Sequence, residues 1–300
     1  MSRKTTTEWL QEHHSESTQS FPFVAGKKKR SARTLAVSSG KGGVGKTSIA
    51  IKTAKMLVAR GEKVLLIDCD YNLSNTAVKL GLPIQNNFYE LLSSRKSFED
   101  SIHKEGNFHL LSACNGNMDL FDESLSLENV IFDIINSHRE EYDTIVLDTP
   151  AGLTKEVCNL NAYCDHRFII VTPDKSSITD SYSLIKVLSK RLNIKDYHLI
   201  FNKVSGEKQI QRLTKTFLET AELYLDCRLQ VLGSIPFYRE NVDRFDTELL
   251  KIADSEIHNS FHKVIDRFTE EDIGATAALS PHWRNQRVVV ADREQEVPTL

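Results

Sequence analysis

Residues 38–48 read SSGKGGVGKTS, and this stretch satisfies two phosphate-binding patterns at once. Gly40, Gly42 and Gly45 fit G-x-G-x-x-G, the fingerprint of a dinucleotide loop. Gly40, Gly45, Lys46 and Thr47 fit G-x-x-x-x-G-K-[ST], the loop that holds a nucleoside triphosphate. Both need glycines so that backbone can approach phosphate closely, and both use N–H groups at a helix N-terminus. The surrounding residues decide between them. Lys46 follows the last glycine, where its ammonium reaches β- and γ-phosphate oxygens, and Thr47 supplies a hydroxyl for Mg²⁺. A dinucleotide site needs neither. The run TIVL ends in Asp148, the expected place for a carboxylate that holds Mg²⁺. After it, TPAG (149–152) puts Gly152 in a loop able to respond to a γ-phosphate. Asp68 ends an earlier apolar run and joins Thr47 and Asp148 as a metal-site residue. Asp70, beyond that run, is placed to orient a water. The triphosphate reading wins, with Mg²⁺ as the cation and Gly40 through Ser48 as the binding loop.

Outward from the loop, short apolar runs recur between turn residues: TLAVSS (34–39), KVLLID (63–68), FHLLSA (108–113), TIVLDT (144–149), RFIIVT (167–172), HLIFNK (198–203) and LQVLGSIP (229–236). Runs that are apolar throughout, without alternation, suit strands buried on both faces of a parallel sheet. Helix-period segments lie between many of them, such as SIAIKTAKMLVAR (48–60) and SYSLIKVLSKRL (181–192). The expected fold is therefore an α/β, doubly wound, mostly parallel sheet flanked by helices. In 255–269, Ile257, Phe261, Val264, Ile265 and Phe268 share one helical face. That face either packs on the sheet or meets a membrane or partner. The domains expected are a flexible N-terminal arm (1–33), a nucleotide-binding α/β domain (34–270) and a C-terminal tail of unassigned structure (271–300).

The bulk composition is that of an ordinary globular protein: 300 residues, 40% hydrophobic and 26% charged, with a net charge of −3. Such a charge gives no global attraction to nucleic acid or anionic lipid. The five cysteines, Cys69, Cys114, Cys158, Cys164 and Cys227, contain no C-x-x-C pair. Reduced, mostly buried thiols are expected. No run reaches the ~20 apolar residues of a bilayer span, so a cytoplasmic protein is expected.

One residue is left over. Lys41 adds a second cation to a loop that already has Lys46. KGGVGKT (41–47) closely resembles the K-G-G-x-x-G-K-[ST] loop of the MinD/ParA branch of deviant Walker A ATPases, of the SIMIBI type, and the resemblance covers roughly residues 34–270. It implies an ATP-sandwiched homodimer in which Lys41 reaches the partner's phosphates, as an arginine finger does. It implies that DCDYNLSN (68–75) and DTPAG (148–152) are the two switches, with Asp70 positioning the attacking water and Asn75 in the first switch. It also implies adenine contacts from Asn202 and from Pro236 in SIPF (234–237). Within the branch the sequence is similar to the flagellar-number regulators called FlhG, FleN or YlxH. That likeness implies a partner GTPase of the FlhF type, engaged through TTTEWLQEHH (5–14), and a peripheral contact with the inner face of the cell membrane. The arm lacks the D-Q-A-x-x-L-R signature, and 270–300 lacks a sustained basic amphipathic face.

Two other functions remain open. A ParA-like DNA-segregation ATPase needs a basic face, for which KKKR (27–30) and Lys208, Arg212 and Lys215 are the only candidates; Glu207 and Glu219 interrupt the last three, so DNA is an unlikely partner. An ATP-binding anti-activator would sequester a regulator on the same core. An iron–sulfur scaffold would need a C-x-x-C near the C-terminus, where Cys227 stands alone.

Overall fold

The structure is a computed structural model of the chain and describes residues 31–70, 76–83, 87–93, 95–112, 127–238, 250 and 255–276. The arm with its TEWLQEH segment, Asn75, Cys114 and the tail beyond 276 lie outside the described residues.

Eight strands form one sheet: β1 (Arg33–Ser38), β2 (Val64–Asp68), β3 (His103–Glu105), β4 (Phe108–Leu111), β5 (Thr144–Asp148), β6 (His166–Val171), β7 (Asp196–Val204) and β8 (Arg228–Pro236). Their order is β3-β4-β2-β5-β1-β6-β7-β8. Every neighbouring pair is parallel except β3 with β4. The central strands are buried end to end, as their unbroken apolar runs require.

Successive side chains of β1 point to opposite faces and separate two cores. Leu35 and Val37 join helix α1 (Lys46–Ala59) through Ile49, Ile51 and Leu57, together with the last helix, α9 (Glu256–Thr276). On the other face Ala36 joins α5 (Leu127–His138) and α6 (Lys155–Tyr163) through Ile131 and Leu160. Helices α7 (Lys175–Leu192) and α8 (Glu207–Tyr224) cover β6 and β7 on that face through Leu184, Leu188 and Phe217. Three short helices, α2 (Thr76–Lys79), α3 (Asn87–Leu92) and α4 (Phe98–Ser101), precede β3.

The expected doubly wound sheet is present, with three local differences. An antiparallel edge is added: β3 turns into β4 at Gly106, whose φ of 58° suits a tight turn. Its HKE sequence carries no apolar run to mark it. The strand beginning at Phe108 stops at Leu111, two residues short of the apolar run. The last helix continues to Thr276, and Ala32 is buried, so ordered structure overruns the expected boundaries at both ends.

The apolar face of α9 resolves one alternative. Ile257, Phe261, Val264, Ile265 and Phe268 are all at most 4% exposed, packed in the core rather than held out for a membrane or partner. Gly233 permits this seating, since a Cβ there would meet Val264 Cγ2 at 2.7 Å. The polar side is tied down too: Arg60 pairs with Asp266 and donates to Thr269 at 3.1 Å. Among the described residues no helix is long and apolar enough to cross a membrane. Phe261→Ala is therefore expected to cost about 3–5 kcal/mol of stability by leaving a buried cavity, measured by denaturant unfolding. A loss under about 1 kcal/mol would show that α9 is not part of the core.

Candidate functional site

The P-loop leaves the C-terminal end of β1, flanked by β5 on one side and β6 on the other. Crevices at the carboxyl ends of such sheets are where ligands bind in open α/β folds. Two glycines have specific steric reasons. A Cβ on Gly40 would sit 2.2 Å from the Asp180 carbonyl carbon, because the loop lies directly against the backbone of α7. Gly45 caps α1 at φ 94°, in the left-handed region, and a Cβ there would meet Asn202 Nδ2 at 2.6 Å. No side chain caps the N-terminus of α1. A helix N-terminus of this kind favours an anion.

At the centre lies a buried ion pair: Lys46 Nζ donates to Asp148 Oδ1 at 2.8 Å, with the side chains 8% and 1% exposed. The other carboxylate oxygen, Asp148 Oδ2, is buried with no hydrogen-bond partner. Asp68 stands beside Asp148 in the register of β2 and β5 and is equally buried, and its Oδ1 accepts the Asp70 N–H at 3.0 Å. The structure thus gathers Lys46, Asp68, Asp70 and Asp148 at one end of the sheet. Between the two aspartates, burial and then the Asp68 and Asp148 charges push the Cys69 thiol well up, so it is an inert core group. Cys158 and Cys164 are buried as expected, and Cys227 is partly so.

The segment 149–152 is stitched to β1. Thr149 N–H donates to Val37 O at 3.2 Å and Gly152 N–H to Ser39 O at 3.0 Å. Beneath it, Ser38 Oγ lies 2.9 Å from Thr149 Oγ1, and Asn161 Nδ2 donates to Ser38 Oγ at 2.8 Å. Glu156 opens α6 just beyond. Burial first, then the Glu128 and Asp70 carboxylates, push its carboxyl up to about 7, and its Oε1 has no hydrogen-bond partner.

The remaining expected residues take up other positions. Lys41 donates to Asp174 Oδ1 at 2.7 Å in its own chain. Asp174 also caps α7 through the Ser177 N–H and accepts from Thr172 and Ser176. Burial opposes its ionisation, but the Lys41 ammonium and these donors outweigh it and hold its carboxyl well below the usual carboxylate range. Asn202, expected at an adenine, is fully buried and donates to Val44 O at 2.7 Å, so contact with a base would require its amide to leave the loop. Pro236 ends β8 opposite Val204, and beside it Phe237 is 52% exposed. A groove of about 430 Å³ opens there between Lys41, Asp174, Lys203, Gln209 and Phe237. Asp174 and Lys203 were missed by sequence reasoning. The helix-capping pattern D-x-x-S at 174–177 was the available signal for the first.

A family model described as AAA domain, AAA_31, matches residues 32–199. The chain belongs to this family and is of the MinD/ParA type. It is 27% identical to the antiactivator FleN of Pseudomonas aeruginosa over 206 residues, 68% of this chain and 74% of that one. It is 29% identical to the flagellum site-determining protein YlxH of Helicobacter pylori over 217 residues, 69% and 70% of the two chains. Its fold matches that of the septum site-determining protein MinD of Pyrococcus horikoshii, solved with Mg-ADP. The TM-score is 0.64 at 22% identity, covering 83% of this chain and all of that one.

The Glu156 carboxyl gives a pH signature. Its pKa is higher in the folded protein than the unfolded carboxylate value, so the folded state binds the proton more tightly. Stability from this group is full below about pH 4 and declines as pH rises through about 7. Glu156→Gln is expected to raise the melting temperature more at pH 8 than at pH 5. An equal change at both pH values would contradict the shift.

Proposed function

We propose that this protein is an ATP-hydrolysing, dimerising switch of the FleN/YlxH kind that regulates the number or placement of flagella. The observation that carries the reading is the Lys46–Asp148 pair beside an uncapped helix N-terminus, with Asp148 Oδ2 left unpartnered. Such a pair suits exchange: a nucleotide offers phosphate oxygens to the ammonium and a cation to the carboxylate. The likeness to the flagellum site-determining protein YlxH, beside that to the antiactivator FleN, supports the cellular role.

The donor set fits Mg²⁺. Asp148 has a free buried oxygen, Asp68 is adjacent, and Thr47 stands in the first turn of α1. Among the described residues no group of three or more His, Cys, Asp and Glu forms a metal cage. Mg²⁺ normally shares its shell with phosphates and water, so one or two carboxylates suffice. When bound, it would neutralise charge on the β- and γ-phosphate oxygens.

Each residue then has a role. N–H groups of Gly42 to Ser48 cradle the phosphates, and Lys46 binds β/γ oxygens. Asp70 accepts a hydrogen bond from the attacking water and orients it in line with the γ-phosphorus. Loss of that phosphate releases the 149–152 segment from its ligand and reopens the site. Lys41 leaves Asp174 and reaches the phosphates of a second copy when two chains close face to face. The work is positioning and charge stabilisation, with no covalent intermediate. An FlhF-type GTPase at the arm, a peripheral membrane contact and cytoplasmic residence complete the proposal on the likeness to FlhG-type proteins. No described feature favours DNA: Lys215 lies 3.7 Å from Glu219, as on an ordinary solvated helix.

Single-turnover hydrolysis tests the chemistry. Asp70→Ala is expected to slow phosphate release by about 10²-fold or more while ATP affinity stays within about threefold. An unchanged rate removes Asp70 from this role, and wild-type protein that binds no ATP sinks the whole reading.

A further inference from the structure

Two adjacent residues at the end of β7 hold two adjacent carbonyls of the P-loop. Asn202 Nδ2 donates to Val44 O at 2.7 Å, and Lys203 Nζ donates to Gly43 O at 2.9 Å. The Lys203 N–H donates in turn to Asn202 Oδ1 at 2.9 Å, which fixes the orientation of the amide. Lys203 achieves this with φ 59°, one of two non-glycine residues with positive φ among those described. A lysine in the left-handed region is strained, and such strain persists where the surroundings impose it.

We propose that Asn202 and Lys203 are positioning residues that pre-form the phosphate nest by fixing the peptide planes of the P-loop from outside. This rests on the nucleotide-binding reading above and adds to it. In a trans peptide the C=O and the following N–H point in opposite directions. Holding Gly43 O and Val44 O outward aims the N–H groups of Val44 and Gly45 inward, to where phosphate sits. Gly43 and Gly45, at φ 75° and 94°, have the left-handed backbone of an anion-binding nest. Gly45 also leaves the space that Asn202 occupies. Without the brace the loop must order itself on binding, and affinity falls by that ordering cost.

The brace acts on phosphate, whereas a base-reading role for the same residues would act on adenine. The test therefore compares ADP with inorganic tripolyphosphate, which has no base, each displacing a fluorescent ADP analogue. Lys203→Gly is the informative variant, because glycine accepts the backbone conformation while the ammonium is lost. Its melting temperature should equal or exceed that of wild type. Its affinity for both ligands should fall about tenfold, the scale of one charged hydrogen bond. Lys203→Arg, which restores a cationic donor, should recover most of the loss. Wild-type affinity for both ligands in Lys203→Gly would overturn the brace and leave the nucleotide site intact. A loss confined to ADP would overturn it in favour of base contact. Wild-type protein that binds neither ligand would overturn both readings.

Discussion

The site depends on one buried contact, the bond from Lys46 to Asp148. It joins the first residue of α1 to the last residue of β5 across the neighbouring strand β1. Burying two charges is costly, and their attraction offsets that cost only while both are present; removing one partner typically costs about 3–5 kcal/mol. The pair therefore fixes the approach of helix to sheet. It also leaves the site unsatisfied, because Asp148 Oδ2 has no partner. A ligand that supplies an anion to Lys46 and a cation to Asp148 satisfies both ends at once. The side chains that join helix to sheet are those that a nucleotide would engage.

Around this pair the loops are held by contacts of two kinds, an exposed ion pair and a buried polar network. Lys41 is paired with Asp174 at the surface, where both side chains remain more than a third exposed. Such ion pairs contribute little to stability and exchange readily. The 149–152 segment hangs from β1 by a few backbone bonds and the Ser38–Thr149–Asn161 hydroxyl and amide network. The exposed Lys41–Asp174 pair is thus the contact that a bound phosphate displaces most easily.

Much of this was legible in the sequence because the signals are local. The P-loop is one contiguous stretch, and Asp68 and Asp148 end short apolar runs, bounded by turn residues, that read as buried strands. What escaped reading joins distant positions. Lys41 meets Asp174, and Lys203 meets Gly43, through the folding of β6 and β7 beside β1. No periodicity reports such pairings. Asn202 was legible as a residue at a strand end beside the site, but its orientation depended on the loop it packs under. The edge strand β3 was invisible for another reason: it has only three residues, two of them charged, and takes its structure from β4. The apolar face of α9 suits a core as well as a membrane or partner by its pattern alone, and Gly233 is what admits it onto β8.

In the proposed switch, Lys41 exchanges Asp174 for the phosphates of a second copy when ATP is bound. Light scattering on Asp70→Ala protein, which should hold ATP without consuming it, measures this directly. With Mg-ATP the account predicts the mass of a dimer, with Mg-ADP that of a monomer, and a return to monomer in ATP when Lys41→Ala is added. A monomer under both nucleotides, or a dimer indifferent to Lys41, would contradict it.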